Sequence, residues 1–122
     1  MRPNWHEYFL NIACEVAKRS TCPRARVGAV IVREHRIIST GYNGSPAGED
    51  HCDDVGCYVR DGHCQRAIHA ETNAIAAAAK FGQAVEGATL YYWDSLNRVA
   101  SSCVKCSQIM KAAGISNIIG RE

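Results

Sequence analysis

Long apolar runs are absent from this 122-residue chain. Nothing in it approaches the roughly 18 consecutive apolar residues of a transmembrane helix, and its first residues, Met1-Arg2-Pro3-Asn4-Trp5-His6-Glu7, lack the apolar stretch of a signal peptide. Both absences lead to the expectation of a cytoplasmic protein. An excess of one charge is missing too. The formal net charge is +2, and the 14 Lys and Arg residues are scattered rather than massed in one stripe, which argues against a nucleic-acid polymer as partner. One or two such cations would still suffice for a small anionic substrate such as a nucleotide. Repeats and low-complexity segments are lacking as well. Residues 1–122 therefore read as a single domain, long enough to bury one modest core.

Cysteine, by contrast, is abundant, with seven in the chain. In a secreted protein that count suggests disulfides with one thiol left over; in a cytosolic one it suggests metal ligands or redox chemistry. Cys14 falls on the apolar side of a helical pattern and is expected in the core. Cys22, Cys52, Cys57, Cys64, Cys103 and Cys106 fall in or beside candidate sites.

The hydrophobic pattern predicts an α/β fold. Asn4 and Glu7 form a capping box, and Trp5, Tyr8, Phe9, Ile12, Ala13 and Val16 recur at helical spacing, predicting a helix over 5–18 that ends at Thr21-Cys22-Pro23. Val27 to Val32 is a short apolar run suited to a strand buried on both faces. A polar turn leads to a second strand, Ile37 to Tyr42. Residues 43–66 have no period and read as a long loop, usually a functional feature in a compact domain. An Ala-rich helix follows over 68–80, then a strand over 88–93, a polar loop over 94–101, a helix over 103–113 and a last strand over 117–119. The order α-β-β-α-β-α-β predicts a mixed sheet covered by helices, in three layers.

His69-Ala70-Glu71, followed thirty-odd residues later by Cys103-Val104-Lys105-Cys106, carries the chemistry. His69, Cys103 and Cys106 supply three zinc ligands, which leaves the fourth tetrahedral position open, and Glu71 is an acid beside the metal rather than a ligand. Both segments begin predicted helices, whose free N–H groups and positive dipole ends favour thiolate over thiol. Zinc lowers the pKa of bound water towards about 7. Glu71 can then take the water proton and pass it to a ring nitrogen and a leaving amine, which departs poorly unless protonated. Two other readings remain: a thioredoxin-like redox pair at Cys103/Cys106, and a zinc-stabilised binding module without catalysis. The first leaves His69 and Glu71 unexplained, and the second needs a fourth ligand. His/Cys/Cys zinc deaminases carry this combination as H-x-E…P-C-x-x-C; here Ser102 stands at the proline position, where it can serve as an N-cap.

Three stretches extend the likeness: Arg26 to Val32, Gly41-Tyr42-Asn43-Gly44-Ser45-Pro46-Ala47-Gly48, and Ile68-His69-Ala70-Glu71-Thr72-Asn73-Ala74-Ile75. Over about residues 5–120 the chain resembles the short bacterial and phage deoxycytidylate (dCMP) deaminases, within the cytidine deaminase superfamily. The resemblance implies a cytidine deaminase-like fold and zinc-dependent hydrolysis of dCMP to dUMP and ammonia, feeding dTMP synthesis. It departs from the family in the longer loop 94–101, so a deaminase of another cytosine nucleoside or nucleotide, dCTP included, stays open. Asn43 matches the family's sugar-binding Asn, a suitable partner for deoxyribose O3′, or Asn43-Gly44 is simply a turn. Ala70 belongs to the same substrate-binding set. A 5′-phosphate needs a cation, for which Arg26 is first choice with Arg24 behind it, though both can also be solvated charges. Tyr91 or Tyr92 could line the base pocket, with strand alternation sending the other into the core.

By likeness alone, a regulatory site where dCTP with Mg²⁺ activates and dTTP inhibits would involve Tyr42, Gly44 and Lys80, within a homo-oligomer, a hexamer. The related phage enzymes also carry a second zinc, with ligands matching Cys22, Cys52 and His63. Ala67 replaces the family's acidic ligand there, so Cys57 is the expected fourth ligand and Cys64 the substitute. Such a closed site would pin the long loop to the end of the first helix. Buried free thiols are the alternative.

Overall fold

The computed structural model describes residues 1–45, 59–60, 63–64, 69–97 and 104–120, with only the backbone at residues 59, 60, 63, 64 and 104. Helix α1 (Trp5–Ala17) opens on the expected capping box: Asn4 Oδ1 accepts from Glu7 N–H at 2.9 Å, and Asn4 Nδ2 donates to the Glu7 carboxylate at 3.2 Å. Its buried stripe is narrower than the pattern predicts, consisting of Phe9, Ala13 and Ala17. Trp5 stays 50% exposed because it stacks flat on His35 in the following turn, at 4.1 Å between ring centroids, instead of inserting into the core. Cys14 is half-buried, which corrects its expected place in the core: it sits beside the Ala13 stripe rather than on it.

Strands β1 (Val27–Arg33) and β2 (Arg36–Tyr42) form an antiparallel hairpin. Its two turn residues, Glu34 and His35, have φ of 53° and 61°, the double left-handed conformation of a type I′ turn, which matches strand twist. The first six residues of β1 are buried, as the apolar run requires. A small hairpin, β3 (Val59–Arg60) with β4 (His63–Cys64), lies within the stretch expected to be loop. Two-residue strands leave no periodic signal in a sequence. Helix α2 (Ala70–Lys80), strand β5 (Thr89–Asp94), helix α3 (Val104–Ala113) and strand β6 (Asn117–Gly120) complete the order.

The main sheet runs β2-β1-β5-β6. β1 is antiparallel to both neighbours, and β5 and β6 are parallel, joined through α3. Alternation along β1 and β5 divides the core by face. Val30, Val32 and Tyr91 pack with Phe9 and Ala13 of α1. Ala29, Ile31, Leu90 and Tyr92 pack with Ala70, Ala74 and Ala78 of α2 and with Cys106 and Met110 of α3. The architecture is thus the predicted mixed sheet between helical layers. No helix among the described residues is long and apolar enough to cross a membrane.

Two glycines set the distance between layers. A Cβ at Gly28 would lie 2.7 Å from Ala17 N and closer still to the Ala13 carbonyl oxygen, so α1 can rest directly on β1. A Cβ at Gly41 would lie 2.6 Å from the Ala70 carbonyl oxygen and 2.8 Å from Ala74 Cα. Helix α2 therefore lies against β2 backbone to backbone, and Ser39 Oγ fixes its height by donating to the Ala74 carbonyl at 2.6 Å.

Candidate active site

His69 is the N-cap of α2, in extended conformation with φ −66° and ψ 153°. Ala70 and Glu71 follow in the first turn, exposed by only 0% and 3% respectively. Cys106 stands in the first turn of α3 and is 3% exposed. The fold brings these two helix starts together: His69 Nδ1 lies 3.1 Å from Cys106 Sγ. A nitrogen and a thiolate sulfur bound to one zinc, at about 2.0 and 2.3 Å, are roughly 3–3.6 Å apart. The donor pair thus fits a shared zinc. Cys103, the third expected ligand, lies outside the described residues, as do Cys52 and Cys57. Of His63 and Cys64 the backbone forms β4.

The N-terminal, positive-dipole end of α2 lies at this junction, beside Cys106 in the first turn of α3. Thr72 Oγ1, 3.7 Å from Cys106 Sγ, adds a hydroxyl beside the sulfur. Nothing in the spacing of Thr72 marks it out beforehand.

Asn73 is a second residue missed in the sequence. Its N–H bonds the His69 carbonyl at 2.9 Å, while its side-chain Nδ2 donates to the Tyr42 carbonyl at 2.8 Å and lies 3.5 Å from the Gly44 carbonyl. It ties the first turn of α2 to the end of β2. Its place four residues after His69, hence on the same helix face, is the only local signal for it.

The expected substrate residues gather at that same end of β1 and β2. Asn43 is 8% exposed, and both ends of its amide bond backbone: Oδ1 accepts from Val27 N–H at 2.9 Å, and Nδ2 donates to the Ala25 carbonyl at 2.9 Å. Its own carbonyl accepts from Ser20 Oγ at 2.8 Å. Arg26 is exposed, and its guanidinium donates to the Ser20 carbonyl. Gly44 is buried against Thr21, and Cys22, the cysteine of the expected second zinc set whose side chain is described, is 6% exposed nearby in sequence.

The two tyrosines separate as strand alternation requires. Tyr92 shares the packed cluster of Ala70 and Cys106, and its hydroxyl donates to Asp94 Oδ2 at 3.0 Å. Tyr91 faces α1, bonded to His6 Nδ1 at 2.8 Å, and burial pushes its phenol pKa up. Lys80 stands at the far end of α2, about 15 Å from Ala70 at 1.5 Å rise per residue, with its ammonium over the Phe81 ring at 5.6 Å.

The α/β/α fold thus sets a buried acid two residues from a helix-capping His whose ring nitrogen lies 3.1 Å from a cysteine sulfur, two donors that could share a metal ion. Residues 3–121 match the cytidine and deoxycytidylate deaminase zinc-binding region, and the chain belongs to that family. It is 45% identical to ComE operon protein 2 of Bacillus subtilis over 96% of this chain and 59% of the relative. It is 37% identical to the deoxycytidylate deaminase of Mycobacterium phage D29, over 97% of this chain and 94% of the phage enzyme. Among solved structures, the dCMP deaminase of cyanophage S-TIM5 in complex with dCMP and dUMP superposes with a TM-score of 0.80 at 30% identity, covering 99% of this chain and 83% of that one. The expected fold and family are borne out.

Proposed function

We propose that this chain is a zinc-dependent hydrolase converting dCMP to dUMP and ammonia. The observation that carries the reading is the 3.1 Å approach of His69 Nδ1 to Cys106 Sγ, with Glu71 buried two residues from that histidine. The cyanophage neighbour with dCMP and dUMP and the near full-length match to the phage D29 deaminase support the choice of substrate. His69, Cys106 and Cys103 would hold the zinc, which when bound supplies the Lewis acidity that brings the pKa of water towards about 7. Glu71 moves the protons. Its carboxylate takes one from the attacking water, delivers it to N3 of the cytosine ring, and serves again at the departing amine. Its burial, at 3% exposure, keeps those transfers away from bulk water.

Arg26 holds the 5′-phosphate and Asn43 shapes the sugar pocket, with the Ala70 backbone against the base. A second zinc on Cys22, Cys52, Cys57 and His63, with Cys64 as substitute, would pin the 43–66 loop to the end of the first helix. Regulation by dCTP with Mg²⁺ and by dTTP, through Tyr42, Gly44 and Lys80 in a hexamer, completes the reading. The Asn73 bonds linking Tyr42 and Gly44 to the catalytic turn support such coupling. A cytoplasmic location keeps the thiolate ligands reduced. The test is ammonia release across a panel of cytosine and adenine nucleosides, monophosphates and triphosphates. dCMP is expected to give the highest kcat/KM; preference for dCTP or for a free nucleoside would overturn the substrate assignment.

A further inference from the structure

Among the described residues one buried side-chain polar atom has no hydrogen-bond partner, the hydroxyl of Ser45. Ser45 is 8% exposed. A hydroxyl withdrawn from water without a partner is unfavourable, and such groups are rare unless a bound molecule completes them.

The Gly44 carbonyl, in the peptide that leads into Ser45, lies 3.5 Å from Asn73 Nδ2, one turn beyond His69. On its other side Gly44 packs on Thr21, whose Oγ1 would sit 2.9 Å from an added Cβ. Ser45 thus follows directly on a peptide set between Asn73 of α2 and Thr21. The neighbouring amide of Asn43 already serves Val27 and Ala25. Among the described residues the buried side-chain polar atom left uncommitted is the Ser45 hydroxyl oxygen.

We propose that the Ser45 hydroxyl pairs with the 3′-hydroxyl of the bound nucleotide and helps set specificity for the sugar. The inference rests on the deoxycytidylate reading above. A serine hydroxyl donates one hydrogen bond and accepts others, as a sugar hydroxyl does, so the pair can form in either sense. The dianionic phosphate is better met by Arg26, which is charged and exposed; a buried neutral hydroxyl suits the enclosed, neutral part of the substrate.

The experiment compares KM for dCMP and for 2′,3′-dideoxy-CMP in the wild-type enzyme and in Ser45→Ala, with deoxycytidine as a third substrate. Loss of one enclosed hydrogen bond is worth about five- to tenfold in binding. The wild type should therefore show a dideoxy-to-deoxy KM ratio of about five or more, collapsing to about one in Ser45→Ala. Thermal midpoint is the second readout. Ser45→Ala removes a hydroxyl that bonds nothing in the ligand-free protein, so its midpoint should equal or exceed the wild-type value. A lowered midpoint would make the hydroxyl structural and overturn the proposal. So would an unchanged ratio, or a collapse confined to the dCMP-to-deoxycytidine comparison, which would assign Ser45 to the phosphate. Absence of dCMP turnover in the wild type would remove the underlying reading and this inference together. Turnover with an unchanged ratio overturns the inference alone.

Discussion

A single methyl group at Gly41 should damage this protein twice, in stability and in chemistry. The added Cβ would meet α2 at 2.6 Å from the Ala70 carbonyl oxygen and 2.8 Å from Ala74 Cα, and nearer still to Ala74 N. Comfortable separations are about 3.5–4.0 Å, so roughly 1 Å must be found, and all three atoms are helix backbone that cannot rotate aside. Overpacking typically costs about 1–3 kcal/mol, and backbone obstruction puts Gly41→Ala at the top of that range. For a domain of this size the thermal midpoint should fall by roughly 10–15 °C. Relief requires α2 to back away from the sheet, carrying His69 and Glu71 with it. A displacement near 1 Å at reacting groups can cost about 10²-fold in rate. Gly28→Ala is the control, because its Cβ would meet α1 on the opposite face, 2.7 Å from Ala17 N. It should lower the midpoint comparably while kcat per folded molecule stays within a few-fold of wild type. Thermal unfolding followed by circular dichroism, with deamination kinetics well below both midpoints, reads the two effects separately. A Gly41→Ala protein with wild-type midpoint, or a Gly28→Ala protein that loses as much kcat as Gly41→Ala, would refute the reasoning.

Glu71→Gln keeps the shape of a side chain that is 3% exposed but removes its proton transfer, so bound zinc and folding should persist while kcat falls by about 10⁴-fold or more; near-normal turnover would disprove the assigned role. Metal analysis should find two zinc per subunit, with Cys22→Ala losing one of them together with thermal stability; one zinc in fully active protein would eliminate the second site. Rate against dCMP should be sigmoidal and become hyperbolic on addition of dCTP and Mg²⁺, since an effector must favour one state differentially. Hyperbolic kinetics indifferent to both dCTP and dTTP would remove the regulatory part and leave the enzyme standing.

What could be read from the sequence, and what could not, follows from where each residue finds its partner. The elements of the main sheet and its helices stand within two residues of their expected bounds, for instance 5–17 against 5–18 and 89–94 against 88–93, because hydrophobic period is a local signal. His69, Glu71 and Cys106 were legible for a different reason: metal chemistry restricts residue type and spacing so strongly that few arrangements qualify. Burial was less legible. Trp5 matches the helical period yet stacks on His35, thirty residues away, and a period assigns a side of the helix, not the width of its contact. Polar residues with partners across the fold were the least legible. Asn73 is an ordinary helix residue until Gly41 lets α2 descend onto β2 and brings the Tyr42 carbonyl within reach. Asn43 shows the reverse case: its type suits a sugar ligand, and the fold also engages its amide with Val27 and Ala25, fixing the start of β1 to the end of β2. The same logic makes Ser45 informative, since a buried hydroxyl that the completed fold leaves unsatisfied marks where something outside the chain supplies the missing bond.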